Sequence, residues 1–331
     1  MSSELRVARF GTKLPEGERG DQAGPGRRPR GSSPDAADRR PAFLDIDFRE
    51  LDVRFDPVKR AVWCYTHPSG PPSITPTMIR ELITLHRAIQ AYVIENRGAG
   101  AAVRYFVQGS SLPGIYNMGG DLAFFASCVR HGDRARLRRY AYDCVESVHA
   151  VSVGLDCNVV TVALVQGDAL GGGFEGALSC NVLIAERQAK LGLPEILFNS
   201  FPGMGAYSFL ARRLGTAGAE RMILKGQVLS ADEMFEMGLV DQVVDEGQGA
   251  AAVQAFLSDS DRGYATREAL YRIRQRVNPI TIQEMRDITD IWVDTMMCLS
   301  DADLRRMELL QAAQTRRLAK RNVDDLACAA E

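Results

Sequence analysis

The sequence predicts an α/β fold, and three observations carry that expectation. Two strand-like runs, Val103 to Gln108 and Val159 to Gln166, both close in Val-Gln-Gly and lead into a glycine-rich turn and a helical pattern. Two more apolar runs, Asn181 to Ala185 and Leu239 to Val244, read as later strands separated by helical stretches. From about residue 250 the strand patterns stop and a helical segment of roughly 80 residues takes over. The repeated ending suggests a stack of related strand–helix units.

Taken in order, residues 1–41 are rich in Gly, Pro, Ser, Arg and Asp, as in Gly24-Pro-Gly-Arg-Arg-Pro-Arg30. Such a segment buries too little apolar surface to offset its ordering entropy, so a disordered tail is expected. Phe43 to Phe48 and Leu51 to Phe55 alternate apolar and polar residues, the pattern of half-buried strands, and Ala61 to Tyr65 reads as a third strand. Thr75-Pro76 starts a helix, with Thr as N-cap and Pro at the first helical position. Ile79, Leu82, Ile83, His86, Ile89 and Val93 mark its inner face, where His86 reads as a satisfied core residue. Residues 42–247 are expected to form the core. Residues 248–331 form the helical segment, in which Asn278-Pro279 ends one helix, Thr281-x-x-Glu284 caps the next and Ser300-x-x-Asp303 starts a third.

Composition narrows the function. Apolar residues make up 46% and charged residues 25%, as in ordinary globular proteins. A formal net charge of −2 gives no reason to expect nucleic acid or an anionic membrane as partner. No stretch approaches the roughly 20 apolar residues of a membrane span, and the N-terminus lacks the apolar core of a secretory signal. Seven cysteines without a C-x-x-C pair fit reduced thiols in a cytoplasm. Four histidines without H-x-H or H-x-x-x-H spacing give a metal site no support, and no cofactor is expected.

Two glutamates carry the chemistry: Glu175, in Leu170-Gly-Gly-Gly-Phe-Glu-Gly176, and Glu195, in Gly192-Leu-Pro-Glu195. A glycine turn between a buried strand and a helix points backbone N–H groups into the turn, where they can hold an oxyanion. A carboxylate one turn further on is placed to move protons at the same carbon skeleton. The plain alternative for each is a helix-terminal carboxylate satisfying a dipole. Gly171-x-Gly173-x-x-Gly176 also matches the dinucleotide fingerprint. However, only Gly173 to Cys180 separates that turn from the next strand, too short for a crossover helix. Glu195 also lies beyond that strand rather than at its end, where a ribose-binding acid belongs.

Three blocks in order resemble the enoyl-CoA hydratase/isomerase, or crotonase, superfamily: Asn117-Met-Gly-Gly-Asp-Leu122, Val165 to Ala185 with Leu191 to Gly205, and Leu229 to Asp241. The resemblance runs from about residue 43 to 246. It implies a spiral of ββα units, a helical C-terminus that builds a homotrimer or hexamer, and acyl thioesters as substrates. By position in these blocks, the oxyanion-hole amides fall on Gly120 and Gly172 and the catalytic carboxylates on Glu175 and Glu195. Both glutamates together favour hydration or dehydration. Gly109 to Leu122 and Phe198 to Tyr207 are similar to the diffusible-signal-factor synthases within that superfamily. That branch implies dehydration of a 3-hydroxyacyl chain on acyl carrier protein to the cis-2-enoyl thioester, then hydrolysis to the free acid, with Glu195 as base at C2 and Glu175 as acid, or the two roles reversed. The spacing from Gly120 to Gly172 is long for the superfamily, and an arginine-rich stretch, Arg130 to Arg139, lies between them. That stretch reads as a solvated helix face or, less simply, a dock for an acidic carrier protein. Leu170, Phe174, Phe201, Met204 and Trp292 are candidates to line an acyl tunnel, and Cys180 reads as an inert core thiol. Rival expectations are an enoyl-CoA hydratase of fatty acid degradation and a non-catalytic regulator that keeps the fold.

Overall fold

Five times the chain enters one long sheet, and after three of those entries it steps across to a shorter one. The computed structural model describes residues 40–96 and 103–328. Strands β1 (Leu51–Asp56) and β2 (Ala61–Thr66) form an antiparallel hairpin. Strands β3 (Tyr105–Ser110), β5 (Val160–Val165), β7 (Val182–Glu186) and β10 (Gln242–Val244) add to β2 in parallel, in the order β1-β2-β3-β5-β7-β10. The shorter sheet runs β4-β6-β8-β9, from β4 (Ile115–Asn117), β6 (Asp168–Leu170), β8 (Lys190–Gly192) and β9 (Val228–Ser230). A helix follows each β-β step: α2 (Leu122–Arg130) after β4, α4 (Gly172–Ser179) after β6 and α5 (Ala206–Lys225) after β8. This is the expected α/β succession of ββα units. The Val-Gln-Gly echo marks where the chain leaves the long sheet for the short one. Backbones meet closely there, since a Cβ on Gly167 would lie 2.0 Å from the Gly114 carbonyl carbon.

Helix α1 (Pro76–Glu95) begins as expected, with the Thr75 side chain accepting from the Met78 N–H at 3.0 Å. It packs on α3 (Arg134–Ser152), whose nineteen residues account for the long spacing between Gly120 and Gly172. Beyond the short α6 (Ala231–Glu236), α7 (Gly249–Val277) sets Val253 and Leu257 against the outer face of β3, β5 and β7. Helices α8 (Ile282–Met297) and α9 (Asp301–Cys328) return to cover α3 and α2. Thr281 caps α8 as expected, although Glu284 turns away to Arg212 and Ser208. Among the described residues, no helix is long and apolar enough to cross a membrane.

Two expectations need correction, one holds with added contacts, and one lies elsewhere. Phe43 to Phe48 is not a strand: Ala42–Asp45 forms a 3-10 turn after Pro41. Phe43 wedges edge-on against Phe55 (6.0 Å) and Tyr92 (5.5 Å), so aromatic packing rather than strand pairing fixes this segment. Arg130 to Arg139 is a mostly exposed face, as expected, but three of its arginines are engaged by the C-terminal helices. Arg130 pairs with Glu308 and Arg134 with Asp294, each at 2.5 Å. Arg138 forks onto Asp290 at 2.6 and 2.8 Å, with the Tyr142 hydroxyl donating to the same carboxylate. These pairs lie part-exposed, where solvent screening leaves each with little effect on stability. Their geometric effect is larger, because they clamp α8 and α9 onto α3 and α2. His86 is buried edge-on to Phe106, but neither ring nitrogen has a hydrogen-bond partner among the described residues, and burial pulls its pKa down to about 4. The tail expected over 1–41 falls outside the described residues except for Arg40 and Pro41.

The close approach at Gly167 gives a stability prediction. Gly167→Ala is expected to cost more than about 3 kcal/mol, because backbone rather than a flexible side chain must give way. Urea unfolding would measure it, and an unchanged midpoint would contradict this packing.

Candidate active site

Register in the short sheet assembles the site. Pairing of β4 with β6 sets Asn117 beside Ala169, and pairing of β6 with β8 sets Leu170 beside Gly192. The segments that follow, Met118-Gly-Gly120, Gly171-Gly172 and Leu193-Pro-Glu195, therefore lie side by side. Gly119 (φ +99°) and Gly171 (φ +52°) take backbone angles that L side chains rarely adopt. The turns nearly touch: a Cβ on Gly172 would sit 3.5 Å from the Gly120 nitrogen, and one on Gly119 would sit 3.2 Å from the Gly172 nitrogen. Neither the Gly120 nor the Gly172 amide finds an acceptor among the described residues. The structure thus brings together two free N–H groups at the positions expected for an oxyanion hole.

The loop holding Gly119 and Gly120 is fixed from three sides. The Gly119 N–H donates to Asn117 Oδ1 (2.8 Å), its carbonyl accepts from the Ile74 N–H (2.8 Å), and the Tyr140 hydroxyl donates to the Ile74 carbonyl (2.6 Å).

Both glutamates face the same cavity as these glycines. Glu175, 1% exposed, accepts at Oε1 from the N–H groups of Met204 (2.9 Å) and Ala206 (3.0 Å) at the start of α5. Burial pushes its pKa up to about 7, while the two amides pull the other way. Glu195 opens a 3-10 turn, Glu195–Phe198, and its Oε1 lies 2.7 Å from where a Cβ on Gly171 would be. The residue is part-exposed overall, but Oε2 is shut off from solvent without a partner. Burial first, and then the charge of Glu175, raise its pKa to about 8.

The cavity measures about 340 Å³. Four of the five acyl-tunnel candidates line it: Leu170, Phe201, Met204 and Trp292. Phe174 does not; it is fully buried in the core, on the side of α4 turned away from Glu175. Trp292 reaches in from α8, edge-on to Phe125 at 5.3 Å, and a Cβ on Gly203 would strike its ring at 2.3 Å. The sequence reading missed much of the wall. Phe125 and Tyr140, the α3 residues Cys144, Ser147, Val148 and Val151, and Leu310 and Gln314 of α9 all line the cavity. The three- and four-residue spacing of apolar positions along α3 was the available signal. Cys180 is a buried thiol pushed up to about 12, as an inert core residue should be. No group of three or more potential metal ligands exists among the described residues.

Comparison with known proteins agrees with this arrangement. The enoyl-CoA hydratase/isomerase family model matches residues 101–255. The enoyl-CoA hydratase of Bacillus halodurans superposes with a TM-score of 0.67 at 21% identity, over 79% of this chain and 100% of that one. Pseudomonas aeruginosa DspI superposes with a TM-score of 0.60 at 27% identity, over 74% and 96%. These matches support the crotonase superfamily. Among curated relatives, the peroxisomal fatty acid beta-oxidation multifunctional protein AIM1 of Arabidopsis thaliana is 38% identical over 119 residues, 34% of this chain. A peroxisomal bifunctional enzyme of Danio rerio is 41% identical over 96 residues, 29% of the chain. The matches span only 16% and 13% of those two proteins.

Within this crotonase fold burial raises both carboxyls, Glu175 to about 7 and Glu195 to about 8, the charge of Glu175 adding to the second shift. The sign for stability follows. A carboxyl whose folded pKa is raised binds more protons folded than unfolded, so its contribution is fully present below about 4.5 and is lost as pH rises through 7 to 8. Glu195→Gln removes one such group. From pH 5 to pH 9 the wild type is expected to lose unfolding free energy relative to Glu195→Gln, measured by urea titration at each pH. Parallel profiles would mean that Glu195 is not shielded from water.

Proposed function

We propose that this protein is a signal-fatty-acid synthase of the diffusible-signal-factor type, dehydrating a medium-chain 3-hydroxyacyl thioester and then hydrolysing it. The observation that carries the reading is the enclosure of two carboxyls beside two unpaired glycine amides in one apolar cavity. In the first step, a carboxylate removes a proton from C2 while the Gly120 and Gly172 amides hold the enolate oxygen. The other carboxyl, protonated, gives its proton to the C3 hydroxyl, which departs as water and leaves the 2-enoyl thioester. In the second step, a carboxylate takes a proton from water as its oxygen adds to the thioester carbonyl. The same amides hold the tetrahedral oxyanion, and its collapse releases thiol and free acid. No side-chain nucleophile is needed.

Resemblance to the superfamily gives Glu195 the base role at C2. The hydrogen bonds favour the reverse in the resting enzyme. Glu175 has two amide donors for a negative charge and Glu195 Oε2 has none, so the shared proton rests on Glu195. Activity is expected only with one proton on the pair, giving a bell-shaped pH profile that peaks between about 7 and 8. The carrier in this proposal is acyl carrier protein or CoA, and the assembly a homotrimer or hexamer. A second reading, an enoyl-CoA hydratase, is favoured by the family model over 101–255.

Mass spectrometry of products from medium-chain 3-hydroxyacyl carrier protein separates these readings. The synthase is expected to release free cis-2-enoic acid, and Glu175→Gln and Glu195→Gln each to lower the rate by about 10²–10⁴-fold. A trans-2-enoyl thioester without free acid would establish the hydratase instead. Turnover unaffected by either substitution would remove both carboxyls from the chemistry.

A further inference from the structure

A second cavity, of about 220 Å³, lies behind α4, and Ser179 is a wall of both cavities. Its composition is uneven. Val153, Leu178, Phe209 and Ile280 give it an apolar lining, and the guanidinium groups of Arg212, Arg213 and Arg274 give it charge.

Those three arginines are not neutralised alike. Arg212 pairs with Glu284 at 2.7 Å and is accounted for. Arg213 donates only to carbonyl oxygens, of Leu178 (3.0 Å), Leu239 (3.4 Å) and Cys180 (3.5 Å). Asp241 acts on it only through space, since Asp241 Oδ2 accepts from the Leu183 N–H. Arg274 is stacked over the Tyr271 ring at 4.8 Å. Among the described residues no carboxylate lies within ion-pair distance of Arg213 or Arg274. The Arg213 guanidinium is buried, and the carbonyls satisfy its N–H groups without cancelling its charge, whereas Arg274 is exposed to solvent. An apolar cavity with one buried and one exposed cation in its wall, neither ion-paired among the described residues, suits a ligand that is apolar along its length and anionic at one end.

We propose that this rear cavity binds a free medium-chain carboxylate, its alkyl chain against Val153, Leu178 and Phe209 and its head group at Arg213 and Arg274. Inorganic phosphate has the charge without the chain, and a primary alcohol has the chain without the charge. The site stands apart from the catalytic cavity yet shares α4 with it, so its occupant touches the helix that carries Glu175. A carboxylate is also the product class of the proposed reaction, but the binding argument does not depend on that reaction.

Calorimetric titration of the full chain with octanoate, 1-octanol and inorganic phosphate tests the assignment. Octanoate is expected to bind at least about tenfold more tightly than either control. Two variants locate the site. Arg274→Gln removes an exposed cation that contacts no part of the catalytic cavity, and Val153→Phe fills the rear cavity. Each is expected to weaken octanoate by about tenfold or more while thioester turnover stays unchanged. Octanoate binding that survives both substitutions would place the acid elsewhere, the catalytic cavity included, and overturn the proposal. Because binding is read directly, failure of the synthase reaction and failure of this site are separate results.

Discussion

The parallel register of β4, β6 and β8 is the constraint on which the rest of the site depends, since it aligns three successive turns at one edge of the short sheet. Each turn leaves the sheet at the same level, so the distance between them is set by strand spacing and not by side chains. Backbone then meets backbone. A Cβ on Gly173 would lie 2.3 Å from the Asn117 carbonyl oxygen, and one on Gly192 would lie 2.3 Å from that of Gln227. The glycines are dense because main chain must pack on main chain, and only two of the site's positions, Gly119 and Gly171, also need a positive φ. The same crowding leaves the amides of Gly120 and Gly172 without acceptors among the described residues. A fold that must orphan two N–H groups has a natural place for a developing oxyanion.

Two carboxyls in a mostly apolar cavity are costly unless their environments differ. Here they do. Glu175 receives two amides from the first residues of α5, where the helix dipole also favours negative charge. Glu195 receives nothing at Oε2 and feels the charge of its neighbour. The plain structural reading of Glu175, a carboxylate at a helix start, is therefore correct and does not compete with a chemical role. The contacts that make the charge tolerable also decide which of the pair holds it.

What the sequence disclosed follows from how local each feature is. The N-cap at Thr75, the alternating α/β order, the glycine turns and both glutamates depend on neighbours within a few residues, so they could be read in advance. The Phe43 segment could not, because its alternation is compatible with a strand and only distant rings at Phe55 and Tyr92 decide otherwise. Phe174 was misplaced for a related reason. It is adjacent to Glu175 in sequence, but one residue of helix turns a side chain by about 100° and puts it in the core. Contributions from Phe125, Tyr140 and Leu310 to the cavity wall were beyond reach because they arise from tertiary packing.

The arginine-rich stretch shows most clearly how tertiary structure changes the meaning of a pattern. As sequence it is a basic run; in the fold it holds α8 and α9 against α2 and α3 through Glu308, Asp294 and Asp290. Those contacts seat Trp292 over Gly203 and bring Leu310 and Gln314 to the cavity. The C-terminal helices are thus part of the site's wall. Their ion pairs are individually weak and part-exposed, so salt weakens them more than it weakens the apolar core. The geometry of the glycine turns and the shape of the cavity consequently rest on different forces. The first is fixed by strand register, which a core of buried strands protects. The second depends on helices held partly by surface charge, so the cavity wall can shift while the glycine turns stay in place.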